Sequence, residues 1–183
     1  MAKAWMPDAL GGSVGQRSRW AELYRTHSPA AHRLAYFLTG DLALAEDLAQ
    51  EAFIKVLTRF QDLRDEQAFP AYLRSAVINL ANSHFRRARL ERRHLQRRDG
   101  RHPSVNQPAV EDRDEMREAL LALPVRQRAA IALRYYEDLT ERETADVMGI
   151  TPAAAKSLVA RGMETLRKGL GPERVSHRSG GDR

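Results

Sequence analysis

The stretch Leu139–Arg167, LTERETADVMGITPAAAKSLVARGMETLR, reads as a helix-turn-helix. Thr140 followed by Glu143 is a capping box that opens the first helix. Ala145, Val147 and Met148 carry its buried side, and Gly149 supplies the residue that tolerates a left-handed turn. Thr151 caps a second helix, with Pro152 at its first position, where a missing N–H is harmless. Ala155, Val159, Met163 and Leu166 fall on one side of that helix, and Ala153, Lys156, Ser157, Ala160 and Arg161 on the other. Small residues flanked by Lys and Arg suit close approach to a DNA groove, with charge for the phosphates. The plain alternative is a short helical hairpin whose polar face is only solvated.

Outward from this motif the chain is expected to be all-α. Sustained alternation of β-branched residues is nearly absent, while helical periodicity runs almost throughout. Upstream, Trp20, Leu23, Tyr24, Ala31, Leu34 and Leu38 keep helical spacing, with Ser28-Pro29 read as a restart of the helix. Gly40 ends that segment and Asp41 caps the next, Leu42 to about Phe60. A third long helix starts near Phe69-Pro70 and runs into an arginine-rich segment. After Asp99 the sequence GRHPSVNQPAVED loses periodicity and gains Gly, Pro, Ser and Asn, as a flexible linker does. A second helical domain begins near Asp112, and Pro124 interrupts it before VRQRAAIALRYYE. The expected organisation is a tail at 1–16, a domain at 17–98, a linker at 99–111, a domain at 112–170 and a tail at 171–183. Both tails read as disordered.

Charge points to the partner class. The 183-residue chain has a formal net charge of +6 and a pI near 10.0, which favours an anionic partner, most simply nucleic acid. The excess peaks in HFRRARLERRHLQRRDGR, His84–Arg101, where eight arginines meet only Glu91 and Asp99. That bias is too one-sided for helix-stabilising pairs, so nucleic-acid contact is favoured over a solvated face. The absence of Cys excludes disulfides, thiolate metal sites and Cys nucleophiles. No metal site and no catalytic residue is expected, because the six histidines are scattered and neither a phosphate-binding glycine loop nor a nucleophile elbow is present. No cofactor is expected, and the chain does not read as an enzyme. No run suits a membrane span and MAKAWMPDALGGSVGQR lacks a signal-peptide core, so a cytoplasmic protein is expected.

Two helices carry contrasting faces. In Leu42–Phe60, Ala45, Leu48, Ala49, Ala52, Phe53, Val56 and Phe60 gather on the core side. Glu46, Asp47, Gln50 and Glu51 lie opposite with Ile54 among them, and an exposed Ile between carboxylates suits docking on a basic helix. In the next helix Phe69, Tyr72, Leu73, Ala76, Val77 and Leu80 read as core, with Ile78 at the edge of the other side. That other side holds Ser75, Asn79, Asn82, Arg86 and Arg89, types whose donors and acceptors match base edges and phosphates. The preceding loop, QDLRDEQA at 61–68, lies beside that face and can cover an extruded base.

The order of GDLALAEDLAQEAFIKVL, AYLRSAVINLANSHFRR and ALPVRQRAAIALRYYEDLTERETADVMGITPAAAKSLVARG resembles the extracytoplasmic-function (ECF) sigma factors of bacterial RNA polymerase, in an actinobacterial-type branch. The resemblance spans roughly Trp20–Arg167. It implies a first domain, sigma region 2, that binds the clamp helices of the polymerase β′ subunit and melts the −10 element. It implies a second domain, sigma region 4, that reads the −35 element as duplex and rests on the β flap. Asp47, Gln50, Glu51 and the neighbouring Ile54 are then expected at core polymerase. Ser75, Asn79, Asn82, Arg86 and Arg89 are expected at the −10 DNA, and Ala153, Lys156, Ser157 and Arg161 in the −35 major groove. An anti-sigma factor is a further expected partner. The chain departs from the family pattern at Tyr72, where Trp is frequent, at Ser83, where Asp is frequent, at Pro70, and at Leu158, where Arg is common. Leu158 leaves fewer charge-assisted contacts for the groove. A stand-alone helix-turn-helix regulator of operator DNA is the competing reading, and it leaves the acidic row with Ile54 unexplained.

Overall fold

The computed structural model describes residues 14–59, 66–99 and 115–170, and every element among them is helical. They comprise α1 (Val14–Thr39), α2 (Leu42–Arg59), a 3₁₀ turn (Glu66–Ala68), α3 (Phe69–Asp99), α4 (Glu115–Ala122), α5 (Val125–Ile131), a π turn (Ala132–Tyr136), α6 (Glu141–Met148) and α7 (Pro152–Leu170). Two compact units divide between Leu80 and Ala81, so each is taken by itself. The expected linker from residue 100 on, residues 1–13 of the N-terminal tail, the C-terminal tail, Phe60 and the greater part of the 61–68 loop lie outside the described residues, whereas residues 14–16, expected in the disordered tail, are helical and open α1.

In the first unit, α1 packs along α2. Trp20, Ala31, Leu34 and Leu38 of α1 are buried, as are Ala45, Leu48, Ala49, Ala52, Phe53 and Val56 of α2. The rings join the elements: Phe53 lies 4.9 Å from Tyr24 and 5.9 Å from Phe69, centroid to centroid, and His27 lies 5.3 Å from Phe69. Burial, reinforced by Arg74, holds the His27 imidazole below its ordinary pKa, so it is neutral at pH 7. The connection between α1 and α2 follows from two residues. Gly40 adopts φ 71°, and Asp41 Oδ1 accepts from the Leu44 N–H at 3.1 Å, capping α2. Ser28-Pro29 does not restart α1: Pro29 lies inside one continuous helix. Packing of the flanking turns against α2 outweighs the loss of a single backbone hydrogen bond at the proline.

α3 corrects a second expectation. Phe69, Leu73, Val77 and Leu80 are buried, but so is Ile78, whereas Tyr72 is 46% exposed and Ala76 only half-buried. The buried arc is rotated towards Ile78, which puts Tyr72 on the solvent side. Periodicity fixes the spacing of an apolar face but leaves its edges to whatever packs there.

In the second unit α4, α5 and α6 all pack on α7. Pro124 stands at the N-cap of α5 with φ −52° and ψ 136°, which breaks the chain between α4 and α5. α5 then widens into the π turn, and Arg134 donates across the following bend to the Leu139 carbonyl. Arg128 is buried to 3% exposure, and its Nη2 donates to the carbonyls of Leu121 at 2.6 Å and Leu123 at 3.0 Å. It thereby satisfies the last carbonyls of α4, a helix with no buried residue of its own. Burial pushes the Arg128 pKa down to about 10, which still leaves it charged at neutral pH.

Gly162 sits where α7 packs tightly against α5. A Cβ there would stand 2.7 Å from Ile131 Cδ1 and 3.4 Å from Gln127 Cβ. Gly162→Ala is expected to change stability little, since about 1 kcal/mol of helix propensity offsets the shift of one flexible methyl. Gly162→Leu overpacks the crossing and is expected to cost about 1–3 kcal/mol, read as a lower thermal midpoint of the full chain by circular dichroism.

Candidate nucleic-acid interface

The helix-turn-helix forms by the local chemistry its sequence encodes. Thr140 Oγ1 accepts from the Glu143 N–H at 3.2 Å, and Glu143 Oε2 accepts from the Thr140 N–H at 2.7 Å, closing the capping box. Gly149 ends α6 at φ 61° and ψ 43°. Thr151 Oγ1 then accepts from the Ala154 N–H at 3.2 Å, starting α7 at Pro152. Ala155 and Leu166 are buried, while Val159 and Met163 are half-buried. On the other side Ala153, Lys156, Ala160 and Arg161 are exposed and Ser157 is half-buried, giving one continuous row. Arg161 is folded along its own helix: Nη2 donates to Ser157 Oγ at 2.8 Å and Nε to the Ser157 carbonyl at 3.3 Å. Leu158, at the flank, is half-buried.

α3 presents the second row. Asn79, Arg86 and Arg89 are exposed and Ser75 and Asn82 half-buried, all on one side of the helix. Asn79 Nδ2 donates to Ser75 Oγ at 3.4 Å. From Phe69 to Leu90 the sequence has no carboxylate at all. Arg87, Arg92 and Arg93 are exposed as well, so cationic groups surround the helix beyond Arg86. Such a surface attracts polyanions without internal competition.

α2 is the opposite in charge. Asp47, Glu51 and Ile54 are exposed and Gln50 is half-buried, and their spacing places all four on one stripe. Ile54 retains 36% of its surface. Glu51 pairs with Lys55 at 2.8 Å, and Gln50 Nε2 donates to Glu46 at 3.5 Å. Both interactions lie on the solvent side and are weak enough to exchange for a partner's groups. Leu42, 74% exposed at the start of α2, adds apolar surface that helical periodicity does not single out.

The structure thus places Ser75, Asn79, Asn82, Arg86 and Arg89 together, Ala153, Lys156, Ser157 and Arg161 together, and Asp47, Gln50, Glu51 and Ile54 together. Tyr72, which periodicity assigns to the core, is a surface residue instead. Its seven-residue spacing from Asn79, and Asn79's from Arg86, is the signal in the sequence that points there. Among the described residues no group of His, Cys, Asp and Glu is placed to hold a metal ion, and no helix is long and apolar enough to cross a membrane.

Residues 23–91 match the Sigma-70 region 2 family and residues 113–166 match Sigma-70, region 4. The chain is 28% identical over 156 residues to the RNA polymerase sigma-E factor of Streptomyces avermitilis, covering 85% of this chain and 87% of that protein. It is 32% identical to the ECF RNA polymerase sigma factor SigE of Mycolicibacterium smegmatis over 87% of this chain and 64% of that one. Among solved structures, the sigma factor RpoE of Bartonella quintana, in complex with the anti-sigma factor NepR, superposes with a TM-score of 0.63 at 25% identity. That likeness covers 86% of this chain and 99% of the other. An acidic row on α2, a carboxylate-free stretch of α3 and a helix-turn-helix in one helical chain, together with these matches, define a regulatory factor of transcription initiation. The chain belongs to the sigma-70 family, as an ECF sigma factor.

Proposed function

We propose that this sigma factor docks on the β′ clamp helices of core RNA polymerase through Asp47, Gln50, Glu51 and Ile54. It melts and holds the −10 element along Ser75, Asn79, Asn82, Arg86 and Arg89, and it reads the −35 duplex with Ala153, Lys156, Ser157 and Arg161 while region 4 rests on the β flap. In this reading the chain performs no catalysis of its own and works in the cytoplasm, where an anti-sigma factor restrains it, as NepR pairs with the Bartonella protein. The domain division is taken as region 2 at 17–98 and region 4 at 112–170, tethered by 99–111. A tether raises the effective concentration of one weak DNA contact once the other is made. The observation that carries the reading is the presence, in one chain, of an acidic row with an exposed Ile and two separate basic rows. A stand-alone operator-binding regulator has no use for the first of these. Run-off transcription with core polymerase tests the proposal directly: start sites that depend on this chain support it, and specific duplex binding without polymerase favours the regulator.

The two cations of α7 are expected to play different parts. Lys156 lies near the start of α7, where side chains of such helices reach base edges, whereas Arg161 is held along the helix by Ser157. Arg161→Ala should lower the salt slope of −35 binding by about one unit and leave the preferred sequence unchanged. Lys156→Ala should blur one position of the −35 consensus, at a cost of about 1–3 kcal/mol for the preferred base. Binding titrations across a salt series, with a randomised −35 library, check both, and the reverse pattern would place α7 differently in the groove.

A further inference from the structure

We propose that this chain pairs reciprocally with a second copy of itself, the cation-ringed face of α3 around Leu90 meeting the α2 row around Ile54; the inference rests on the α2 row being a docking surface for a basic helix.

The later turns of α3 carry an apolar residue that neither the core nor DNA accounts for. Leu90 is 49% exposed. Its neighbours on the helix surface, three and four residues away in each direction, are Arg86, Arg87, Arg93 and His94, all exposed. Glu91, the one carboxylate from Arg86 to His94, lies about 100° round the helix from Leu90. Phosphates call for the arginines but gain nothing from a leucine set among them. An apolar side chain ringed by cations is complementary instead to an apolar side chain beside carboxylates. Every copy holds that counterpart on α2. Ile54 is 36% exposed, with Glu51 three residues, Gln50 four residues and Asp47 seven residues before it. Both stripes run for about two turns of helix, so they match in length as well as in charge.

Each copy presents one row of each kind. Two copies related by a two-fold axis therefore make the same contact twice, and the assembly closes at a dimer instead of growing into a filament. Contacts this small and this charged give a weak, reversible, salt-sensitive association. In the dimer the α2 row faces a partner's arginines and is not open to core polymerase, while Arg86 faces carboxylates and not DNA. Polymerase and self-association compete for the same residues, and the dimer is a stored form that polymerase draws apart.

Sedimentation equilibrium of the purified full chain tests this across the micromolar range, at low and at high salt. A monomer–dimer equilibrium that moves towards monomer as salt rises is expected. Leu90→Ala should weaken the dimer about tenfold, with unchanged helicity and undiminished binding to core polymerase. Asp47→Arg with Glu51→Arg should give a monomer, and so should Arg86→Glu with Arg87→Glu and Arg93→Glu, because each set brings like charges together. An equal mixture of these two variants should dimerise again. The reversed α2 of one meets the reversed α3 of the other, and the two native rows still match. A wild-type chain that stays monomeric at every concentration overturns the proposal, as does a mixture that stays monomeric. A dimer lost on nuclease treatment is bridged by nucleic acid and overturns it equally. The α2 variant separates the levels. If it loses core polymerase yet still dimerises, only the self-association falls; if it is monomeric yet still binds polymerase, self-association stands and the polymerase reading of α2 falls; if it keeps both, both fall.

Discussion

Core polymerase is expected to stop binding when the acidic row of α2 is reversed by Asp47→Arg together with Glu51→Arg. Both residues are exposed and neither contributes to the Tyr24–Phe53–Phe69 cluster beneath. The reversal breaks the Glu51–Lys55 ion pair, worth about 0.3–0.5 kcal/mol at such a site. Stability should therefore move by no more than about 0.5 kcal/mol for each exposed substitution. Against a basic partner helix, by contrast, each reversal replaces attraction with repulsion, and like charges brought together at an interface cost several kcal/mol. Co-purification with core polymerase, alongside a thermal melt of the isolated chain, separates the two effects. An intact melt with no co-purification is the expected result, and undiminished co-purification removes α2 from the interface.

The largest loss of stability is expected from Arg128→Ala. Its guanidinium holds the carbonyls of Leu121 and Leu123 inside the protein, and the same side chain fills space that a methyl group does not. Two charge-assisted hydrogen bonds and a new void together amount to about 2–4 kcal/mol, which for a domain of this size is roughly 10–25 °C in Tm. Because α4 buries no residue of its own, its turns should be the first to exchange amide hydrogens. Arg128→Met keeps most of the volume and removes the buried charge, so it should lose less than alanine, with the two carbonyls still unpaired. Hydrogen exchange over 115–123 and calorimetry of the three chains check the order.

Local chemistry was legible in the sequence where one or two residues decide the backbone. Asp41, Gly40, the Thr140–Glu143 box, Gly149 and Thr151 act within four residues of themselves, and each occupies the expected place. What the sequence left ambiguous depends on distant packing. Tyr72 and Ile78 stand at the edges of an apolar arc, and neighbouring elements decide which is covered. Pro29 carries the same local signal as a helix start, yet the helix continues through it. Arginine is ordinarily a surface residue, so nothing in VRQRAAIALRYYE sets Arg128 apart from Arg126, although one is buried and the other exposed. Gly162 is small for the sake of Ile131, far away in sequence on another helix, and periodicity does not report on such a partner. The grouping of each row on one helix face was legible because side chains on a helix surface follow its pitch, whereas the exposure of Leu42 was not, and that of Tyr72 was signalled only by its seven-residue spacing from Asn79.

In the proposed −35 reading, the folding of Arg161 back onto Ser157 has a consequence for the thermodynamics of recognition. A long side chain that is immobilised only on binding loses about 0.5–1.5 kcal/mol in rotamer freedom. Here the guanidinium is already restrained by two hydrogen bonds to a residue one turn earlier, so much of that loss falls before DNA arrives. The restraint also shortens its reach, which confines it to whatever passes close to the helix itself. Ser157 thus exchanges versatility of the arginine for a smaller entropic penalty on association, and the heat of −35 binding should carry the mark of that exchange.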